Sequence, residues 1–446
     1  MEILKTKHGR IICSDNKIGL KEFPNNYFTS ILTDPPYGIF FMSKKWDYNV
    51  PSVESWQECF RVLRPGGALL CFAGTRTQHR MAVNIEDAGF VLKDTLMWLF
   101  GSGFPKALDI SKAIDKFVGA EGGVVETKTT LAKLFDGYKS HGLKPAYEPI
   151  IMAMKPNEGS YIKNALNHGV SGLNIDGCRI SSSETVGASG RWGFKSEKGW
   201  NKNSFESKTQ STYEHNNGRF PSNIILTHHP ECEMVGLKKI KAIMGGGGIK
   251  YTGKNTYGDF KGAEYNKVLT KGDKNGNEQV EDWNCHPDCP VGILDEQSGK
   301  TKRVDLRNRC ESGNSAIWGE NNKCETRRVK DMGGGASRFF YCAKASKSER
   351  NIGNINNNHP TVKPLALIKY LLTLISPPEN AIILDPYFGS GSLGLAAEEL
   401  NIKYVGMERE FESCEIAKNR ILGYVQILKD RCKALKNKNS QMGLFD

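Results

Sequence analysis

Apolar residues fall into short continuous runs near both ends of the 446-residue chain and thin out in its middle. Asn26 to Thr33 closes on the run Ile31-Leu32, a Pro/Gly loop follows, and Val53 to Leu63 has helical spacing. Arg64-Pro65-Gly66-Gly67 then reads as a turn and Ala68 to Phe72 as a buried strand. Phe90 to Phe100 repeats the strand signal, Leu108 to Phe117 reads as a short helix, and Tyr147 to Met154 as a strand closed by Lys155-Pro156. Strands alternating with helices predict one α/β layer here. From residue 181 to about 350, Ser, Gly, Asn and Lys dominate and the periodicity fades, although Asn223 to Thr227 and Ser337 to Ala343 keep strand character. That segment is expected to be a loop-rich inserted domain. Regular pattern returns with a helix over Pro364 to Ile375, a strand over Ala381 to Leu384, a helix over Leu393 to Leu400 and a strand over Lys403 to Met407. The expected organisation is a core in two halves, residues 1–180 and 351–425, an insert over 181–350 and a basic tail over 426–446.

Two of these strands run directly into loops with chemistry. Asp34-Pro35-Pro36-Tyr37 follows the first apolar strand, at the carboxyl end where open α/β sheets bind ligands. An exocyclic amino nitrogen is a poor nucleophile because its lone pair is delocalised into the ring. A carboxylate from Asp34 and a carbonyl from Pro35, accepting its two N–H groups, would favour a tetrahedral nitrogen and stabilise the developing charge. The prolines stiffen the backbone and offer no competing N–H, and Tyr37 can stack on a base rotated out of a duplex. A proline-stiffened turn without chemistry is the rival reading. The second loop, Asp385-Pro386-Tyr387-Phe388-Gly389-Ser390-Gly391-Ser392, joins a strand to a helix. Its glycines permit close approach of backbone to the amino-acid part of a nucleoside cofactor at a helix N-terminus. Asp385 is a candidate partner for a cofactor ammonium, and Glu408, about 20 residues beyond the loop, for the two ribose hydroxyls.

The order of these motifs resembles the β group of S-adenosylmethionine-dependent DNA amino-methyltransferases, in which Asp-Pro-Pro-Tyr precedes Phe-x-Gly-x-Gly. The resemblance covers roughly residues 10–176 and 355–422. It implies a Rossmann-like class I methyltransferase sheet with helices on both faces, S-adenosylmethionine as cofactor and double-stranded DNA as substrate. It also implies direct methyl transfer to an amino nitrogen, with a target-recognition region between the two halves. His359-Pro360-Thr361-Val362-Lys363-Pro364 is similar to the family's lead-in to the cofactor half, which implies Thr361 and Lys363 at the methionine end of the site. Asp15 is similar to the acid that reads the cofactor's adenine. Aspartate at the head of the catalytic loop favours N6 of adenine, since related N4-cytosine enzymes more often carry serine there. No Pro-Cys setting accompanies the loop, which argues against C5-cytosine chemistry through a thiolate. An N4-cytosine enzyme, an inert nucleic-acid-binding protein on the same core, and a methyltransferase acting on RNA or protein glutamine stay open as alternatives.

The insert carries an echo of its own: His228-His229-Pro230-Glu231-Cys232 and Cys285-His286-Pro287-Asp288-Cys289 match position for position. Their outer residues, His228, Cys232, Cys285 and Cys289, form a Cys₃His set suited to structural zinc, with His229 and His286 as alternates. Two similar turns with buried cysteines are the competing reading. Net charge of +12 suits a polyanion, and composition adds basic stretches at Lys300 to Lys330 and Lys418 to Lys438 that could track phosphates or form a solvated face. Phe40, Phe41, Lys44, Lys45 and Trp46 are candidates for closing over DNA, with core packing of the two phenylalanines as the rival. No run approaches the ~18 apolar residues of a membrane span, and Met1 to Arg10 lacks a signal-like apolar stretch. The expectation is a cytoplasmic protein with no membrane partner, its twelve cysteines mostly reduced and buried. A homodimer is compatible with this reading, and no restriction nuclease partner is evident in the chain.

Overall fold

The computed structural model describes residues 2–39, 47–100, 103, 107–119, 129–180, 219–241, 252–255, 258–261, 277–298, 335–343, 349, 351–353 and 362–442. Strands β1 (Glu2–Lys5), β2 (Gly9–Cys13), β3 (Phe28–Thr33), β4 (Leu63–Phe72), β5 (Val91–Leu99), β6 (Tyr147–Met154) and β7 (Ile224–Thr227) come first. Then follow β8 (Glu233–Lys241), β9 (Thr252–Asn255), β10 (Gly258–Lys261), β11 (Asn277–Asn284), β12 (Tyr341–Ala343), β13 (Ile382–Asp385) and β14 (Lys403–Glu408). The helices are α1 (Asn16–Gly19), α2 (Val53–Val62), α3 (Gln78–Asp87), α4 (Ile110–Phe117), α5 (Thr130–Leu134), α6 (Tyr161–His168), α7 (Pro290–Ser298), α8 (Leu365–Ile375), α9 (Ser392–Leu400) and α10 (Phe411–Met442).

One ten-stranded sheet carries the structure in the order β1-β2-β14-β13-β3-β4-β6-β5-β7-β12. Its strands are parallel except β1 and β6, and β6 lies reversed between β4 and β5. Setting aside the edge strand β1, parallel strands with one reversed strand in that place are the class I methyltransferase layout. The continuous apolar runs follow from burial on both faces. Ile11, Leu32, Leu70, Ile150, Ile383 and Tyr404 pack toward α8, α9 and α10. Their neighbours Ile12, Ile31, Leu69, Ile151, Leu384 and Val405 pack toward α2 and α3. Period-two alternation thus sorts each strand between two cores.

Adjacent β13 and β3 send their connections to opposite faces, β13 through α9 and β3 through α2, so a crevice opens at their carboxyl ends. This is the topological switch point where doubly wound sheets bind ligands.

Several expected boundaries move. Arg64 to Gly67 is not a free turn but the start of β4, accommodated by positive φ at Gly66 (75°) and a register shift opposite Phe28 and Ser30. Residues 337–343 hold a 3-10 turn over Ala336–Phe339 before the short β12. The insert does not stay apart from the core, since β7 and β12 extend the main sheet beyond β5. Nor do residues 426–442 form a separate tail, because they continue α10. Phe40, Phe41, Lys44, Lys45, Trp46, Thr361 and the Lys300 to Lys330 stretch lie outside the described residues.

Phe388 shows how tightly the second loop is seated. A Cβ on Gly406 would lie 2.3 Å from its ring, one on Gly394 2.9 Å and one on Gly391 3.3 Å, so three glycines form the slot that holds the phenylalanine. Gly406→Ala should therefore destabilise the protein by about 1–3 kcal/mol through overpacking. Chemical unfolding measures this, and an unchanged midpoint would show that the ring is free to move aside.

Candidate active site

The two loops face each other at the switch point. They line one cavity of about 1360 Å³, larger than the ~300–1,000 Å³ of a single small-molecule site. Asp15, Asp34, Pro35, Pro36 and Tyr37 border it from the first half of the chain. From the far end come Lys363, Asp385, Phe388, Gly389, Ser390 and Glu408. Gly391 is absent from the lining and shapes the loop from below, with φ of 79° at the start of α9.

Four polar side chains meet at the Asp34 to Tyr37 loop. The Lys363 ammonium donates to Asp34 Oδ2 at 2.7 Å and lies 3.2 Å from Glu148 Oε2. The Tyr37 hydroxyl donates to Asp34 Oδ1 at 2.7 Å and sits 3.2 Å from the same Glu148 oxygen. Lys363 is buried, a position that disfavours its charge, but Asp34 and Glu148 outweigh that cost and hold its pKa above the usual lysine value. Burial, then the Asp34 and Glu148 carboxylates, raise the Tyr37 hydroxyl well above the ordinary tyrosine value, so it stays a donor. Asp47 shapes the loop from beyond: its carboxylate accepts the backbone N–H of Tyr37 at 2.7 Å, Gly38 at 2.9 Å and Ile39 at 3.2 Å.

The Gly-rich loop is held just as specifically. Glu408 Oε2 accepts the Gly389 N–H at 2.9 Å, and Arg420 donates to the Ser390 carbonyl at 2.6 Å and to its hydroxyl at 3.0 Å. Arg420 is buried, which removes it from the basic face expected along Lys418 to Lys438. Asp385 accepts from the Thr33 hydroxyl at 2.7 Å and from the Tyr387 N–H at 3.1 Å, so the two strands flanking the crevice are tied together at its floor. Asp15 caps α1 through the Lys17 N–H at 3.0 Å while remaining on the cavity rim.

The resemblance implied Lys363 at the methionine end of the cofactor site; here it lines the cavity that the Gly-rich loop also borders, and it pairs with Asp34 and Glu148. Glu148, Asp47 and Arg420 were missed. Glu148 did leave a signal, as an acid in an otherwise apolar strand. Asp47 and Arg420 left none, because their partners are set by folding.

A family profile described as DNA methylase, covering the N6 and N4 amino-methyltransferases, matches residues 28–419. The chain belongs to the N6/N4 DNA methylase family. Among relatives, it is 34% identical over 125 residues to the Type II methyltransferase M.HindIII of Haemophilus influenzae, covering 27% of this chain and 38% of that protein. To the Type II methyltransferase M2.MboI of Moraxella bovis it is 40% identical over 75 residues, covering 17% of this chain and 27% of that one. The chain thus matches well under half the length of these relatives. Solved structures it resembles include the M1.HpyAVI–SAM complex, at TM-score 0.35 and 15% identity over 92% of this chain and 99% of that one. PvuII DNA methyltransferase (cytosine-N4-specific) gives TM-score 0.40 and 11% identity over 93% and 87%.

Burial pushes the Asp385 carboxyl up to about 7, against the opposing Thr33 and Tyr387 hydrogen bonds. An unfolded aspartate titrates near ~3.9. Between about pH 4 and pH 7 the folded chain therefore holds a proton that the unfolded chain has lost, so this group's contribution to stability falls as pH rises and levels off above 7. Asp385→Asn should flatten the slope of unfolding free energy against pH in that window. An unaltered slope would mean that Asp385 is already ionised there.

Proposed function

We propose that this chain methylates the N6 amino group of adenine in double-stranded DNA, with S-adenosylmethionine as methyl donor and the target base rotated out of the helix. The observation that carries the reading is the opening of Asp34 and the Gly-rich loop onto one cavity across the switch point. The residues present fit the cofactor: a glycine-permitted loop allows close backbone approach, and buried Asp385 and half-buried Glu408 sit where a cationic ligand would supply countercharge. S-adenosylmethionine, when bound, supplies an electrophilic methyl group on a sulfonium.

Asp34 and the Pro35 carbonyl grip the amino N–H groups, which frees the nitrogen lone pair for attack and stabilises the positive charge that builds on it. Both Asp34 oxygens are occupied in this structure, Oδ1 by Tyr37 and Oδ2 by Lys363. The Tyr37 hydroxyl thus stands where a base N–H would bind, and it must yield that oxygen as its ring turns to stack on the base. Lys363 and Glu148 act as positioning residues that keep the Asp34 carboxylate aimed into the cavity. Aspartate at the head of the loop supports adenine over cytosine.

Nucleoside analysis of DNA from cells expressing the chain tests this. N6-methyladenine is expected, with a loss of at least about 10²-fold in Asp34→Ala. N4-methylcytosine, or no modified base, would overturn the reading. A second series separates the roles of Tyr37. Tyr37→Phe keeps the stacking ring and should hold the methylation rate within about tenfold, whereas Tyr37→Ala should forfeit a stacking contribution of ~1–3 kcal/mol. Equal losses in the two variants would assign the hydroxyl, not the ring, the larger part.

A further inference from the structure

The paired pentapeptides of the insert are brought into contact although Cys232 and Cys285 stand 53 positions apart in the sequence. His228 and Cys232 lie between β7 and β8, and Cys285 and Cys289 between β11 and α7. From the geometry we infer that His228, Cys232, Cys285 and Cys289 form a structural zinc site that clamps the base of the β8–β11 ribbon to the edge of the main sheet.

The ligand atoms of all four lie within 4.8 Å of one another. His228 Nδ1 is 3.6 Å from both Cys285 Sγ and Cys289 Sγ. A tetrahedral zinc with its usual bond lengths sets a nitrogen–sulfur edge of about 3.5 Å, so the observed spacing needs almost no adjustment. His228, Cys232 and Cys289 are buried and Cys285 nearly so, and the three cysteines are free of disulfides. Three thiolates and an imidazole select zinc among the common divalent ions.

Backbone N–H groups point at the sulfurs with a pseudo-twofold pattern. His229 N–H donates to Cys289 Sγ at 3.5 Å and His286 N–H to Cys232 Sγ at 3.3 Å, each loop serving the other's last cysteine. Gly292 N–H adds a further bond to Cys289 Sγ at 3.5 Å. Such outer donors stabilise thiolate charge at a metal. A Cβ at Gly292 would lie 2.9 Å from that of Cys285, so only glycine leaves the sulfurs this close. The same pattern excludes His229 and His286 as ligands through Nδ1, since those nitrogens accept the Glu231 and Asp288 N–H groups at 3.3 and 3.2 Å while the rings stack at 4.1 Å.

The local core explains the need for a clamp. Among the described residues, the buried apolar members of this cluster are Leu226, Cys232, Cys289 and Val291. So small a cluster gains more from a metal than from its apolar area. The site also joins the sheet, because His228 directly follows Thr227, whose hydroxyl accepts the Trp98 indole N–H from β5 at 2.6 Å. Its His228 ring stacks on Trp283 of β11 at 4.1 Å.

Metal analysis of the full-length protein, purified without chelator, should find one zinc per chain. The amount should be undiminished in the His229→Ala/His286→Ala double variant and lost in Cys285→Ala. Should Cys285→Ala fail to fold, cobalt exchange into the wild-type protein gives an independent reading: intense visible bands of tetrahedral Co(II) together with thiolate charge transfer are expected. Substoichiometric zinc, a different resident metal, a six-coordinate cobalt spectrum, or zinc lost with His229 and His286 would each overturn the assignment. None of these readouts depends on DNA methylation.

Discussion

The ion pair between partly buried Asp34 and buried Lys363 is the contact on which the site depends. The two residues are 329 positions apart in the sequence, and neither half of the chain holds a complete site without the other. Burying a lysine beside the crevice is costly unless it is matched, and it is matched by two carboxylates, Asp34 from the loop after β3 and Glu148 from β6. The arrangement leaves Asp34 positioned but not idle. Lys363 and the Tyr37 hydroxyl donate to its two oxygens, so the charge match that stabilises the fold also fixes the direction of the carboxylate.

Switch-point topology makes this pairing geometrically natural. β3 and β13 are adjacent and parallel, so their following loops emerge at one end of the sheet however far apart they lie in the sequence. The Thr33 to Asp385 hydrogen bond ties the strand ends, and the glycine slot around Phe388 sets the height of the second loop. Arg420, from α10, then secures Ser390 from behind. Arg420 on the Ser390 carbonyl and Glu408 on the Gly389 N–H hold the loop's backbone directly.

Much of this was legible in the sequence because its signals are local. Buried parallel strands show as unbroken apolar runs, and the chemistry sits at their carboxyl ends, so Asp34 and the Phe388 to Gly391 loop could be assigned to strand ends before any tertiary contact was known. The zinc candidates were legible for a different reason, the repetition of one pentapeptide. The partners of Lys363, the carboxylates of Asp34 and Glu148, were not legible, since a short motif fixes a residue's place in the chain and not what folding brings against it. Asp47 and Arg420 owe their roles entirely to partners brought in by folding. The insert was misjudged because β7 and β12 are only four and three residues long, too short for alternation to reveal that they join the main sheet.

The dependence of the site on one shared ion pair is tested most directly by a double-mutant cycle in unfolding free energy with Asp34→Asn, Lys363→Met and the two combined. Lys363→Met alone leaves Asp34 and Glu148 facing each other without a countercharge and should be the most damaging of the three. Adding Asp34→Asn should restore part of the loss, with a coupling of about 0.5–3 kcal/mol. Strictly additive effects would contradict the account, because they would mean that the two ends of the chain meet at this cavity without depending on each other.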